Sequence, residues 1–274
     1  MARSNAGESV LSRAMRILRL FTSSSPALTV SEIARRADLP VATAHRIVNE
    51  LVGLGALDRA EGKRVRMGYQ LWELASRSSR VLDLREVAMP FMEDLQAVVR
   101  QHTQIGVLQG TDVLYLERLS ARGAVRNITK IAGRLPIHAT SAGLVLLAHS
   151  PLELQEEVLS WRLRRYTART VTDPAHLRSL LAQVRHEGFV VAAQMISQSG
   201  TGVAAPVRGG DGEVVAALSI VIPAADPNPR ALVPALLAAS RGISRAMGAP
   251  TADEDVLRSH GPRLPGDGRQ RLSP

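Results

Sequence analysis

Ala42, Thr43, His45, Arg46 and Asn49 fall on one face of a segment with helical periodicity, roughly residues 41–54. These side chains are short or carry hydrogen-bonding groups, and they gather toward the start of the segment. Reading the edges of base pairs needs that chemistry: small residues let a helix backbone approach, and polar groups reach base edges or phosphates. Arg46 suits a guanine edge or a phosphate, and Asn49, further back, is the weaker contact. Pro40 directly precedes the segment, where the positive end of the helix dipole attracts phosphate. The opposite face is apolar, with Ala44, Ile47, Val48, Leu51 and Leu54 at helical spacing.

Several local signals would hold this face in place. Thr29-Val30-Ser31-Glu32 reads as a capping box, with the Thr29 hydroxyl accepting from the Glu32 N–H and the Glu32 carboxylate reaching back. Val30, Ile33, Ala34 and Ala37 continue it as a narrow apolar stripe. Asp38-Leu39-Pro40 breaks that first helix, because the residue before a proline is pushed out of the α region. Gly53 and Gly55 end the second. Residues 57–59 and 65–67 then flank a turn, and Arg59, Lys63, Arg64 and Arg66 make this hairpin basic, as a wing riding on phosphates would be. Helix, tight turn, helix and basic hairpin are the layout of a winged helix-turn-helix. Thr29, Ser31 and Pro40 join the candidate DNA contacts at the helix starts. The alternative is a plain amphipathic helix pair with a solvated basic turn, and the combination of signals favours DNA. Upstream, Val10, Ala14, Ile17, Leu18 and Phe21 predict a helix over residues 9–21 that completes the unit and helps pair subunits.

Charge agrees with this division. The chain has 274 residues and a formal net charge of +9. Residues 1–80 hold 13 Lys and Arg against 7 Asp and Glu, and the remainder holds 21 against 18. The smaller N-terminal part thus carries most of the excess, which favours a nucleic-acid partner there. The absence of cysteine excludes disulfides, thiolate zinc sites and a cysteine nucleophile. No signal peptide and no membrane-spanning run is expected, so a soluble, cytoplasmic protein is. A Gly-x-Ser-x-Gly elbow, a dinucleotide loop and a His-x-x-x-His pair are all missing. No catalysis, cofactor or metal is therefore expected.

The rest of the chain mixes helices with a mainly antiparallel sheet, an α+β layout. Residues 70–81 read as a linker helix. Val87, Phe91, Leu95 and Val98 predict a helix with Pro90 near its start or kinking it. Residues 103–109 and 112–119 form a hairpin candidate, and 124–130 is expected to extend that sheet. A helix is expected over 140–149, and another from Asp173-Pro174 to Gly188. Strands are expected over 189–193, 202–207 and 214–222, with a closing helix over 231–247. The domain reading is therefore 1–69 for DNA binding, 70–82 as linker helix, 83–248 as a second domain, and 249–274 as a disordered tail.

Taken together, the chain resembles the IclR family of bacterial transcriptional regulators along nearly its whole length. The resemblance rests on Ala14-Met15-Arg16-Ile17-Leu18, residues 28–37, Thr43-Ala44-His45-Arg46, residues 135–143, Gly188-Phe189, residues 202–207 and Ala216-Ala217-Leu218-Ser219. It implies a winged helix-turn-helix joined by a helix to a GAF-like effector-binding domain. It implies dimers or dimers of dimers on pseudo-palindromic operators, more often as repressors, and a small-molecule effector, commonly an organic or aromatic acid. The implied effector positions are His138, Thr140, Ser141, Ala142, Gly143, Ala192, Gly202, Ser219 and Val221.

Physically, exposed N–H groups and hydroxyls at Thr140-Ser141, opening a helix, suit a carboxylate. Either residue serves equally as a plain helix cap, and His138 as a packed residue. Polar residues common in the family are absent. Ala192 stands in the run where an aspartate is frequent, Gly202 precedes the Ala-Ala-Pro-Val run where a cysteine is frequent, Val221 replaces a second serine, and Leu144 a lysine. A buried carboxylate without partners is costly. The expectation is a more apolar or neutral effector than the family's typical acids, or an altered pocket orientation.

Overall fold

The structure, a computed structural model, describes residues 8–22, 24–77 and 80–250. The described chain divides into two compact units, Met1–Leu82 and Asp83–Pro274. In the first, helix α1 (Val10–Leu18) is followed by strand β1 (Ala27–Thr29) and helices α2 (Val30–Arg36) and α3 (Val41–Gly53). Strands β2 (Leu57–Ala60) and β3 (Arg64–Met67) form the wing, and helix α4 (Tyr69–Arg77) comes next. Ser9 caps α1 by accepting from the Ser12 N–H, and the helix ends at Leu18 rather than Phe21. There Leu20 and Phe21 turn tightly, donating to the Ile17 and Leu18 carbonyls.

The wing sheet has three antiparallel strands in the order β1-β3-β2. Sequence periodicity misses β1, because three residues are too few to show alternation and Thr29 is both strand end and helix cap. Ile17, Leu28, Ile33, Ala44, Ile47, Val48, Leu51, Leu57 and Val65 make one core under the helices and sheet. Leu54, expected on the packed face, is instead 70% exposed. It lies just past the end of α3, where the helical period no longer decides its direction. The periodicity of residues 70–81 is found as α4 and the first residues of helix α5 (Arg80–Val99). Pro90 stands in the middle of α5, not near its start, since the helix begins at Arg80, ahead of the apolar stripe that opens at Val87.

The second unit is built on six antiparallel strands. They are β4 (His102–Gln109), β5 (Asp112–Ser120), β6 (Arg134–Pro136), β7 (Val190–Ala193), β8 (Gly200–Arg208) and β9 (Val214–Pro223), ordered β6-β5-β4-β9-β8-β7. Gly110 at φ 63° makes the β4–β5 turn. Residues 124–130 are not a strand as expected. They lie in irregular backbone, and the short β6 takes the edge.

Helices α6 (Ser141–Ala148), α7 (Leu152–Ser160) and α8 (Pro174–Glu187) cover one sheet face, and α5 with α9 (Val233–Ala246) covers the other. Strand alternation separates the two cores: Ala204 faces α6, while Val203, Ala205 and Val207 face the opposite layer. All eight residues of α6 are buried, as expected for a helix apolar on every side. Asp173 caps α8 ahead of Pro174, and Gly188 at φ 74° ends it. The tail expected over 249–274 lies, from residue 251, outside the described residues.

Candidate nucleic-acid interface and effector cavity

Local chemistry explains how α3 is presented. The Thr29 backbone N–H donates to the Glu32 carboxylate at 2.8 Å, its hydroxyl donates to the same oxygen at 3.0 Å, and the Glu32 N–H donates back to that hydroxyl at 3.3 Å. These bonds, the backbone one first, hold the Glu32 carboxyl below the usual carboxylate range. Asp38 adopts the left-handed region at φ 51°, and the Leu39 N–H donates to the Ala34 carbonyl, which closes the turn before Pro40. Helix α3 then buries Ala44, Ile47, Val48 and Leu51. Ala42, His45, Arg46 and Asn49 are exposed and Thr43 is half-buried.

The wing alternates as a strand must. Val65 points into the core, while Arg64 and Arg66 point out. Arg59 and Lys63 are exposed too, Lys63 at φ 58° in the wing turn. Arg59 donates to the Asn49 side-chain oxygen at 3.0 Å, and the Asn49 amide lies 3.2 Å from His45 Nδ1. Asn49 therefore ties the wing to α3 as well as facing solvent. Arg46 lies 3.5 Å from Glu50. Ser31 and Pro40 are exposed, whereas the Thr29 hydroxyl is already committed to its cap.

In the second unit a small cavity, partly open to solvent, lies where α6 begins. The sheet contributes Gln104, Tyr115, Ala192, Gly200, Gly202 and Val221, and the start of α6 contributes Thr140 and Ser141. Met195, Ile196 and Ser197 close one side, and residues 126–129 another. The Thr140 hydroxyl accepts from the Gly143 N–H at 3.1 Å and donates to the Pro136 carbonyl at 3.2 Å, so it caps α6. Burial pushes the Tyr115 phenol well above its ordinary range, against a smaller effect of its bond to Thr140, so it stays neutral. Ser141 fits because residue 202 is glycine: a Cβ there would lie 2.5 Å from the Ser141 hydroxyl.

Residues 121–133 form a strap along this side. The Val125 N–H donates to Gln101 Oε1 at 3.1 Å, and His102 Nε2 donates to the Val125 carbonyl at 2.5 Å. His102 Nδ1 is then left to accept from the Ser120 hydroxyl at 2.9 Å. Asn127 donates to Gln104 Oε1 at 3.1 Å, and Arg118 donates to the Thr129 carbonyl.

Of the expected effector positions, the fold brings Thr140, Ser141, Ala192, Gly202 and Val221 together around the cavity. The other four lie elsewhere. His138 is buried against the Arg164 carbonyl at 3.0 Å and beside the Tyr166 ring. Ala142 is in the core under α6. Gly143 is pressed against the Ile137 backbone, and Ser219 is fully buried at the sheet centre. Sequence reading missed Gln104, Arg126, Asn127 and Met195. One signal could have found Arg126 and Asn127, a run between Gly123 and Gly133 without alternation; Gln104 shares its strand with His102, Thr103 and Gln109, and nothing local marks Met195. Among the described residues, no group of three His, Cys, Asp or Glu is placed to hold a metal ion, and no helix is long and apolar enough to cross a membrane.

Residues 10–61 match the IclR helix-turn-helix domain, and residues 77–245 match the bacterial transcriptional regulator IclR C-terminal domain. The chain belongs to the IclR family. Its relatives in this family are transcriptional regulators, not enzymes. The HTH-type transcriptional regulator BhcR of Paracoccus denitrificans is 32% identical over 257 residues, 92% of this chain and 91% of its own length. XynR of Escherichia coli is 30% identical over 210 residues, 76% of this chain and 83% of its own. An IclR homologue from Microbacterium hydrocarbonoxydans, solved in complex with 4-hydroxybenzoate, is 48% identical with a TM-score of 0.83, covering 87% of this chain and 99% of its own. This IclR-family chain is thus a transcriptional regulator with a DNA-binding helix-turn-helix and a domain that binds small effectors.

Proposed function

We propose that this regulator binds a pseudo-palindromic operator as a homodimer or homotetramer, inserting α3 into the major groove with the wing on the flanking phosphates. The observation that carries this is the outward face of α3 beside four exposed basic wing residues. Ala42, Thr43, His45 and Arg46 read bases, Ser31 and Pro40 approach the backbone at the helix starts, and Arg59, Lys63, Arg64 and Arg66 hold phosphates. Thr29 supports the face through its cap, and Asn49 by tying the wing to α3. Exposed Leu11 and Met15 on α1, and Tyr69, Trp72 and Leu74 on α4, are apolar surface that suits subunit pairing. A regulator of this kind acts in the cytoplasm, where the chromosome lies. Repression is the simpler outcome, since occupying a promoter excludes polymerase without further contacts.

The effector is a small aromatic monoacid, more apolar than a dicarboxylate. The apolar walls Ile128, Leu135, Met195, Ile196 and Val221 support it, as does the 4-hydroxybenzoate bound to the Microbacterium homologue. The ligand acts by linkage: it favours one arrangement of the dimer, and operator affinity shifts by that difference. The test is footprinting on genomic fragments with and without 4-hydroxybenzoate. One discrete two-fold site whose occupancy changes with ligand is expected. Uniform protection of any duplex would refute the operator reading.

A further inference from the structure

Among the described residues, Arg126 is the only charged side chain lining the cavity. It is exposed, and among the described residues it makes no ion pair with a carboxylate. Its guanidinium also donates to no protein acceptor there, leaving five N–H donors uncommitted at the cavity edge. Its neighbours are far from free. Val125 is held through both its N–H and its carbonyl, and Asn127 through its side chain, by Gln101, His102 and Gln104 at 2.5–3.1 Å. The backbone that carries Arg126 is thus fixed at the cavity edge, while its guanidinium is uncommitted.

The remaining lining sharpens the point. Thr140 is committed to its cap, Tyr115 is neutral, and among the described residues no aspartate or glutamate lines the cavity. A carboxylate placed there without a cation would exchange its hydration only for neutral donors such as the Ser141 hydroxyl. A planar guanidinium offers two parallel donors to both oxygens of a carboxylate.

We propose that Arg126 selects the charge of the effector, and that the strap's polar tethers hold it in place to do so. This rests on the aromatic-effector reading. Arg126 takes over the role of the polar anchors whose absence, in the sequence alone, pointed to a more apolar or neutral effector or an altered pocket orientation.

The test uses the full chain and calorimetry with two pairs of probes, 4-hydroxybenzoate against 4-hydroxybenzamide and benzoate against benzamide. Each pair keeps the shape and removes the charge. The wild type is expected to prefer the acids by about ten- to hundred-fold, the range of a charge-assisted hydrogen bond. Arg126→Gln should cut that preference to within about threefold, through weaker acid binding with amide binding unchanged, and Arg126→Lys should fall between. Melting temperature should not move, because the side chain supports nothing else. An undiminished acid preference in Arg126→Gln, or equal affinity of the wild type for acid and amide, overturns the role of Arg126 and leaves the aromatic reading standing. A wild type that binds none of the four probes overturns that reading, and the Arg126 assignment with it.

Discussion

A methyl group on residue 143 would have to share space with a backbone carbonyl, since its Cβ would lie 2.1 Å from the Ile137 oxygen. Backbone yields less readily than a side chain. Gly143→Ala should therefore cost about 1–3 kcal/mol or more, seen as a lower urea midpoint with unchanged slope. At Gly202 the neighbour is the Ser141 hydroxyl, the end of a side chain that can turn away, so shape rather than stability is at stake there.

His149 illustrates a residue whose environment sets a pH dependence. Burial lowers its pKa from the ordinary 6.5, with Arg208 and Arg185 adding to the shift and a bond to the Val145 carbonyl opposing it. The folded protein thus takes up this proton less readily than the unfolded chain. The stability tied to His149 is complete above about pH 6.5 and is lost as pH falls through the lower folded value. Denaturation at about pH 7.5 and about pH 5.5 should show that loss, and His149→Gln should flatten it. An unchanged slope in the variant would assign the effect to another group.

Helices and strands here meet through a few polar links as well as through apolar cores. The Arg59–Asn49–His45 chain joins the wing to α3 at 3.0 and 3.2 Å. Without Asn49, the wing arginine loses its anchor and samples more orientations before meeting phosphate. Asn49→Ala should weaken operator binding by about three- to tenfold, as loss of a net hydrogen bond would. A double-mutant cycle with Arg59→Ala should give a coupling of about 0.5–1.5 kcal/mol in the affinity measured by anisotropy. Strict additivity would mean that the link does not persist on DNA.

For the molecule as a whole, the charge distribution gives a measurable signature. Arg59, Lys63, Arg64 and Arg66 project from a wing in which Val65, the second residue of β3, is the only one of that strand that is buried. Each phosphate contact releases counterions, so the slope of log affinity against log salt counts them. Arg64→Ala should reduce that slope by about one and weaken binding to all sequences alike. Arg46→Ala should instead lose discrimination between operator and unrelated duplex. If Arg64→Ala alters sequence preference while the slope stays put, the assignment of wing to backbone and helix to bases is reversed.

What the order of residues determined alone was short-range. The capping box at Thr29, the stop at Pro40, the two faces of α3, the cap at Asp173 and the stop at Gly188 depend on neighbours within about four positions, the reach of one helical turn. The apolar strands were legible for the same reason, since alternation is local. Tertiary structure decided the effector site. Gln104, Arg126, Ser141, Met195 and Gly202 come from five separate stretches and meet only when the sheet and α6 close around them. The strap over 121–133 has no period to read, because its shape is set by bonds to Gln101, His102, Gln104 and Arg118 rather than by its own sequence. His138 went the other way, drawn out of the site by the Arg164 carbonyl, 26 positions along the chain, a contact that local pattern does not encode.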